Sequence, residues 1–209
     1  IPVGLVALSL RIPPSPKPDG SISDYAAGVI SIMAKRDMLR FVVVGVIVFM
    51  VLYGAYLAYF PFLLNELGAP SYLIGAMMAT TSASSAIVSF NVDKVARLVS
   101  AQRAIQLAFV LATSSMLMMP QIHVLALFLI PTAIYGAAQG IATPVLQNFI
   151  VSRAPFQYRA AVMASFSMTI RTGQTIGPVL SAMLAANLGV SWAFYGGAVL
   201  TLLGMMLMW

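Results

Sequence analysis

The chain has 209 residues, of which 61% are hydrophobic and only 8% charged, and it carries a formal net charge of +6 at pH 7. A soluble domain uses about 25% charged residues to wet its surface, so this composition excludes a water-covered globule and makes lipid part of the solvent. The absence of cysteine excludes disulfides and thiolate metal sites. The basic residues stand between apolar runs, where they mark the cytoplasmic side of a membrane rather than a nucleic-acid surface.

In chain order, residues 1–10 read as the end of a transmembrane helix whose beginning is missing. The chain opens on Ile1 without the charged region of a signal peptide, and it is expected to be a fragment of a longer protein. Residues 11–39 read as a cytoplasmic linker. Pro13, Pro14, Pro16 and Pro18 keep its first part extended. Ser23 and Asp24 are the expected helix caps, after which Tyr25, Val29 and Ile32 or Met33 recur at helical spacing. This pattern predicts a short amphipathic helix on the cytoplasmic membrane surface.

Six spans follow within residues 40–209, at 40–63, 72–90, 103–119, 124–150, 159–186 and 191–209. A helical crossing needs about 20 apolar residues. Backbone groups cannot go unpaired in lipid, so helices are the expected form. The runs are too long and too uniformly apolar for barrel strands. Residues 104–149 are too many for one crossing, and Pro120-Gln121-Ile122-His123 supplies the turn inside them. The fold class is therefore an all-α membrane protein, a six-transmembrane-helix bundle.

Charge placement agrees with this count. Arg11, Lys17, Lys35, Arg36 and Arg40 precede or open the first span. Lys94, Arg97 and Arg103 lie between the second and third, and Arg153 and Arg159 between the fourth and fifth. The other connections hold no Lys or Arg, so ten of eleven basic residues fall on one side. The positive-inside rule makes that side cytoplasmic, with the linker and the chain end on it, in a plasma membrane of the bacterial inner-membrane type.

The exception is Arg171, twelve residues beyond Arg159 and so roughly 18 Å further along a helix. Ser167, Gln174 and Thr175 share its face. Such a residue is costly in lipid, so it is expected to face a cavity or interface and bind substrate, a carboxylate or helix carbonyls; the alternative is a long snorkel to the headgroups. On the fourth span Tyr135, Gln139, Thr143 and Gln147 recur every fourth residue, one face of a helix, which should look into protein or water. Pro131 and Pro144 make that span a candidate broken or bending helix. Tyr53, Tyr56 and Tyr59 cluster on the first span, as cavity residues or as an interfacial belt. Thr80, Thr81 and Ser84 are assigned to helix packing, with the cavity as the alternative. Gly173 and Gly177, four apart, allow close helix approach, and Pro178 can kink the helix. The seam they form lies either against another half of the protein or within this bundle. His123 at an outer turn is incidental. No catalytic constellation and no metal or cofactor site is expected.

Several segments resemble the major facilitator superfamily. Asp93-Lys94-Val95-Ala96-Arg97, with Arg103 beyond, is similar to its cytoplasmic signature, although Ser89 and Ala96 stand where that signature has glycine. Phe60-Pro61, Leu67-Gly68-Ala69-Pro70 and Ile74-Gly75 resemble its first outer loop and second-helix start. The run from Tyr158-Arg159-Ala160 to Arg171-Thr172-Gly173-Gln174-Thr175-Ile176-Gly177-Pro178 resembles the fifth span of C-terminal halves in drug-efflux members. The resemblance implies the C-terminal six-helix half of a secondary transporter working by alternating access between two halves. The partners it implies are the lipid bilayer, an N-terminal half, a lipophilic or drug-like small-molecule substrate and a proton as candidate coupling ion. It also implies a cavity lined by the first and fourth spans, and a latch at Asp93, Lys94 and Arg97 in which Asp93 meets a helix N-terminus. A local pair of Asp93 with Lys94 or Arg97 is the simpler alternative. A nutrient or metabolite symporter, and a non-transporting sensor or scaffold, are the competing functions.

Overall fold

The computed structural model describes residues 21–92 and 99–209; among them the regular structure is helical. The first helix, α1 (Ile22–Met33), starts before the caps expected from the sequence. Ser21 is the N-cap. Its hydroxyl accepts from the Ser23 N–H at 3.3 Å, and its own N–H donates to Asp24 Oδ2 at 3.1 Å, which makes a capping box. α1 is also packed on the bundle. Val29 and Ile32 are buried in the bundle. The Tyr25 ring lies 5.1 Å from that of Tyr158, and its hydroxyl donates to the Gln157 carbonyl at 3.0 Å. The apolar stripe of α1 is covered by protein, at the connection that precedes the sixth helix.

Six long helices build the bundle. α2 (Arg36–Glu66) is α-helical over Arg36–Val51 and Tyr59–Glu66, with a π-helical stretch at Leu52–Ala58 between them. α3 is Ser71–Phe90 and α4 is Ala101–Met118. α5 is Leu129–Arg153, entered through a 3-10 turn at Leu125–Phe128. α6 is Arg159–Leu188 and α7 is Ser191–Leu207. By length and composition α2, α3, α4 and α5, the latter two with their flanking 3-10 turns, are apolar enough to cross a membrane; α7 is apolar but 17 residues long. α6 has ample length at 30 residues, and its Ser, Thr, Gln and Arg strip dilutes its apolarity.

α6 lies along α2, and α3 lies along α5. α4 and α7 pack on each other behind, with α4 also on α5 and α7 also on α2 and α6. The alternation of connections holds in space: Asp37 and Arg40 of α2, Gln102 of α4, Arg153 of α5 and Met208 after α7 line one pocket of about 380 Å³. At that end the Met208 carbonyl accepts from Gln106 Nε2 at 3.1 Å and also from Gln102 Nε2, which satisfies an acceptor left open at a helix terminus. Phe41 of α2 stacks on Phe149 of α5 there, with ring centroids 3.5 Å apart.

Two pairs are held by backbone contact. A methyl added to Gly173 would meet the Val46 carbonyl oxygen, one on Gly177 the Met50 carbonyl, and one on Gly54 the Gly177 carbonyl. The seam read from Gly173 and Gly177 therefore closes on α2 of the same bundle and is not free to meet another half. On the other side, methyls on Gly136 and Gly140 would meet the Thr81 and Ser85 carbonyls of α3. Hydroxyls then reach across: Thr81 to the Thr132 carbonyl at 3.1 Å, Ser84 to Ala133 at 2.7 Å and Ser89 to Gly140 at 3.1 Å. Pro144 has no N–H for the Gly140 carbonyl, and Ser89 supplies the missing donor. This is why α5 runs unbroken through its proline, contrary to the broken helix that Pro131 and Pro144 suggest. α6 likewise continues through Pro178. Behind, Ser115 donates to the Pro131 carbonyl and Thr113 bonds Thr201, each at 2.7 Å.

Gly177→Val and Gly136→Val should each destabilise the bundle by about 1–3 kcal/mol or more, the range for overpacking, because the obstruction is backbone. Gly75, with open space around its Cα, is the internal control: Gly75→Ala should hold or raise the melting temperature in detergent. Equal melting temperatures for all three variants would refute the close-approach account.

Candidate functional site

Because α6 is drawn to α2 and α3 to α5, α2 and α5 touch each other less closely, and a groove of about 510 Å³ opens between α2, α3 and α5. One wall is apolar: Phe49, Leu52 and Leu57 of α2 and Met78 of α3. The other is polar: Thr81, Ser82 and Ser85 of α3 and Gln139 and Thr143 of α5. Tyr56 touches the groove from below.

The polar side chains form a directed network. The Thr81 hydroxyl is within hydrogen-bond distance of the Thr132 carbonyl at 3.1 Å and the Met77 carbonyl at 3.4 Å, and it also bonds the Tyr56 hydroxyl; with the threonine proton on a carbonyl, the tyrosine is the donor. Tyr135 lies against Tyr56 with ring centroids 4.5 Å apart. Its hydroxyl accepts from Gln139 Nε2 at 3.1 Å, and Gln139 Oε1 accepts from the Thr143 hydroxyl at 3.4 Å. Gln139 thus has one end fixed in the core and one flank in the groove. It also borders a small cavity of about 20 Å³ with Tyr135 and Thr201, room for one water. Among the described residues no buried side-chain nitrogen or oxygen lacks a partner.

The structure divides the polar face read from the fourth span. Tyr135 is buried and serves as the anchor behind the groove rather than its wall. Gln139 and Thr143 are half-buried at the groove, and Gln147 is exposed beyond it. The tyrosines of the first span are also separated: Tyr56 turns into the core, whereas Tyr53 is 37% exposed and lies outside the groove lining. The π-helical stretch holding both residues breaks the spacing that would keep them on one face. Arg171 is exposed and Gln174 half-buried on α6, away from the groove. Ser82, Ser85 and Met78 line the groove without having been singled out. The signal was present, since hydroxyls at 81, 82, 84 and 85 lie on both sides of α3 and cannot all face α5. The latch residues Asp93, Lys94 and Arg97 lie outside the described residues. Among the described residues no group of three His, Asp or Glu could hold a metal ion.

The family model of the Major Facilitator Superfamily matches residues 1–169 and, again, residues 41–209. The chain belongs to the major facilitator superfamily. It is accordingly an integral, multi-pass membrane protein and a secondary transporter, and members of the superfamily are in general not enzymes. No curated protein matches the chain. In a superfamily transporter, a groove between helices with one apolar wall and one polar wall is a place where a solute can be held.

The Tyr56–Thr81 bond ties α2 to α3 across the groove floor. A double-mutant cycle of Tyr56→Phe and Thr81→Val should give a coupling energy of about 0.6 kcal/mol, up to about 1.7, the range for hydrogen bonds between membrane helices. Additive melting shifts would show that the two hydroxyls act independently.

Proposed function

We propose that this chain is the C-terminal half of an alternating-access exporter for a lipophilic, drug-like small molecule, held between the α2–α3–α5 groove and an N-terminal half. The observation that carries this reading is the groove itself: Phe49, Leu52, Leu57 and Met78 give an apolar body its surface, and Gln139, Thr143, Ser82 and Ser85 give its few polar atoms partners. A sugar or a highly charged metabolite would need more hydrogen bonds than this lining offers. Transport in this reading is driven by an ion gradient, with the proton as coupling ion. Its acceptor lies outside the middle of these helices, because Asp24, Asp37 and Glu66 all sit at helix ends. The membrane is a bacterial inner membrane, and the end bearing Arg40 and Arg153 is cytoplasmic. Asp93 is, in this reading, part of the latch that closes that side in one state.

A scaffold has no use for a wet face inside its bundle, and this gives the test. The 209 residues contain no cysteine, so a single substitution is the only thiol in them. Gln139→Cys should react with a membrane-impermeant thiol reagent, and excess substrate should slow the reaction several-fold. Ala108→Cys, at a site only 2% exposed, should stay unmodified. An inert Gln139→Cys would remove the transport reading in favour of a scaffold.

Sidedness is tested separately. Ser100→Cys and Pro155→Cys, both between helices at the Arg40 end, should label from the cytoplasmic side only. Modification of either from outside intact cells would invert the orientation.

A further inference from the structure

One charge in this bundle has no work in the groove. Arg171 lies twelve residues beyond Arg159, the first residue of α6, which is roughly 18 Å along the axis and near the middle of a hydrocarbon layer ~30 Å thick. It is exposed, and its guanidinium makes no hydrogen bond or ion pair among the described residues. At 100° per residue it stands roughly 160° around the helix from Gly173, opposite the seam that closes on α2. Ser167 and Gln174, one turn away on the same side, also make no side-chain bond among the described residues. Pro178, further along that side, gives no N–H to the Gln174 carbonyl. Cation, hydroxyl and amide thus share one unpartnered strip among the described residues.

An unpaired guanidinium is strongly disfavoured against lipid, so this strip borders water, an anion or another helix. Close helix approach needs small residues at the contact; the α6 glycines, Gly173 and Gly177, face α2, while Ala164 and Ser167 remain exposed on the side of Arg171. The opposite side offers Arg171, Gln174 and Met168, the last 71% exposed, and long side chains hold a neighbouring helix away. The space left suits a solute. No acid among the described residues stands at mid-helix to neutralise the charge.

We propose that Arg171, with Ser167 and Gln174 as flanking donors, is an anion-recognition element that admits amphipathic solutes bearing a carboxylate, sulfonate or phosphate. The planar guanidinium fork pairs with such groups through two parallel hydrogen bonds. The proposal rests on the transport reading and narrows its substrate class from lipophilic to lipophilic and anionic; Arg171 stands outside the groove lining, so it meets the charged end of a solute that extends beyond the groove.

The intact transporter, reconstituted in liposomes under an imposed proton gradient, is given radiolabelled taurocholate, a permanently anionic amphiphile, or ethidium, a permanently cationic one. The wild type should carry taurocholate in preference. Arg171→Ala should cut taurocholate transport at least ten-fold while leaving the protein inserted and any ethidium flux unchanged or raised. Arg171→Lys should restore part of it, since lysine keeps the charge and loses the fork. Unchanged taurocholate transport in Arg171→Ala would overturn the proposal. So would equal loss of both fluxes, which would mark a structural pairing with another helix, or a wild type that carries ethidium but not taurocholate. A wild type that moves neither probe, with an inert Gln139→Cys, would overturn the transport reading itself and this inference with it.

Discussion

The bundle depends on backbone-to-backbone approach. Between helices in lipid there is little hydrophobic force, because the acyl chains are as apolar as leucine. What remains is dispersion over short distances and hydrogen bonds across the gap. Gly54, Gly173 and Gly177 bring α2 and α6 together, and Gly136 and Gly140 do the same for α3 and α5. Once the backbones are that close, short hydroxyl side chains can reach main-chain carbonyls, as Thr81, Ser84 and Ser89 do. The glycines come first in this chain of causes, because a Cβ at any of these positions would hold the backbones, and therefore the hydroxyls, out of range.

The groove follows from the same arrangement. The glycine seams commit α2 to α6 and α5 to α3, so the junction between α2 and α5 is left less tightly filled. Tyr56 and Tyr135 occupy its floor, and Gln139 is held from below by Tyr135 and from above by Thr143. A side chain fixed at both ends presents its polar edge in one orientation, which preorganises it for a ligand and limits the conformational entropy lost on binding. Rigid seams beside a loosely closed junction also separate two tasks within one bundle: the seams keep the shape, and the junction keeps the space.

Hydropathy and the Lys and Arg pattern made the spans and their alternation legible, because both act over many residues and tolerate local error. Contacts between helices were harder to read. Polar residues four apart mark a face that avoids lipid, but a neighbouring helix satisfies that need as well as water does, and Tyr135 shows it: it shares the spacing of Gln139 and Thr143 and is fully packed. The Gly173–Gly177 pair declared a close approach without declaring its partner, which is α2. Ser21 and Ser23 both precede an apolar period, and only the reciprocal bond of Ser21 with Asp24 decides between them as the cap. For α1, amphipathicity fits a membrane surface and a protein surface equally, and the contact with Tyr158 shows that protein covers part of its apolar side.

The π-helical stretch at Leu52–Ala58 gives α2 two independent angular indices. An added residue at a helical bulge rotates everything beyond it by one residue's share of a 3.6-residue turn, about 100°. Phe60, Leu63 and Leu64 point into the core from the segment beyond it in a phase that residues 36–51 do not set. A helical wheel drawn continuously through α2 therefore assigns residues 59–66 to the wrong faces, and removing a single residue between 52 and 58 would swing that buried trio out of the core while leaving residues 36–51 where they are.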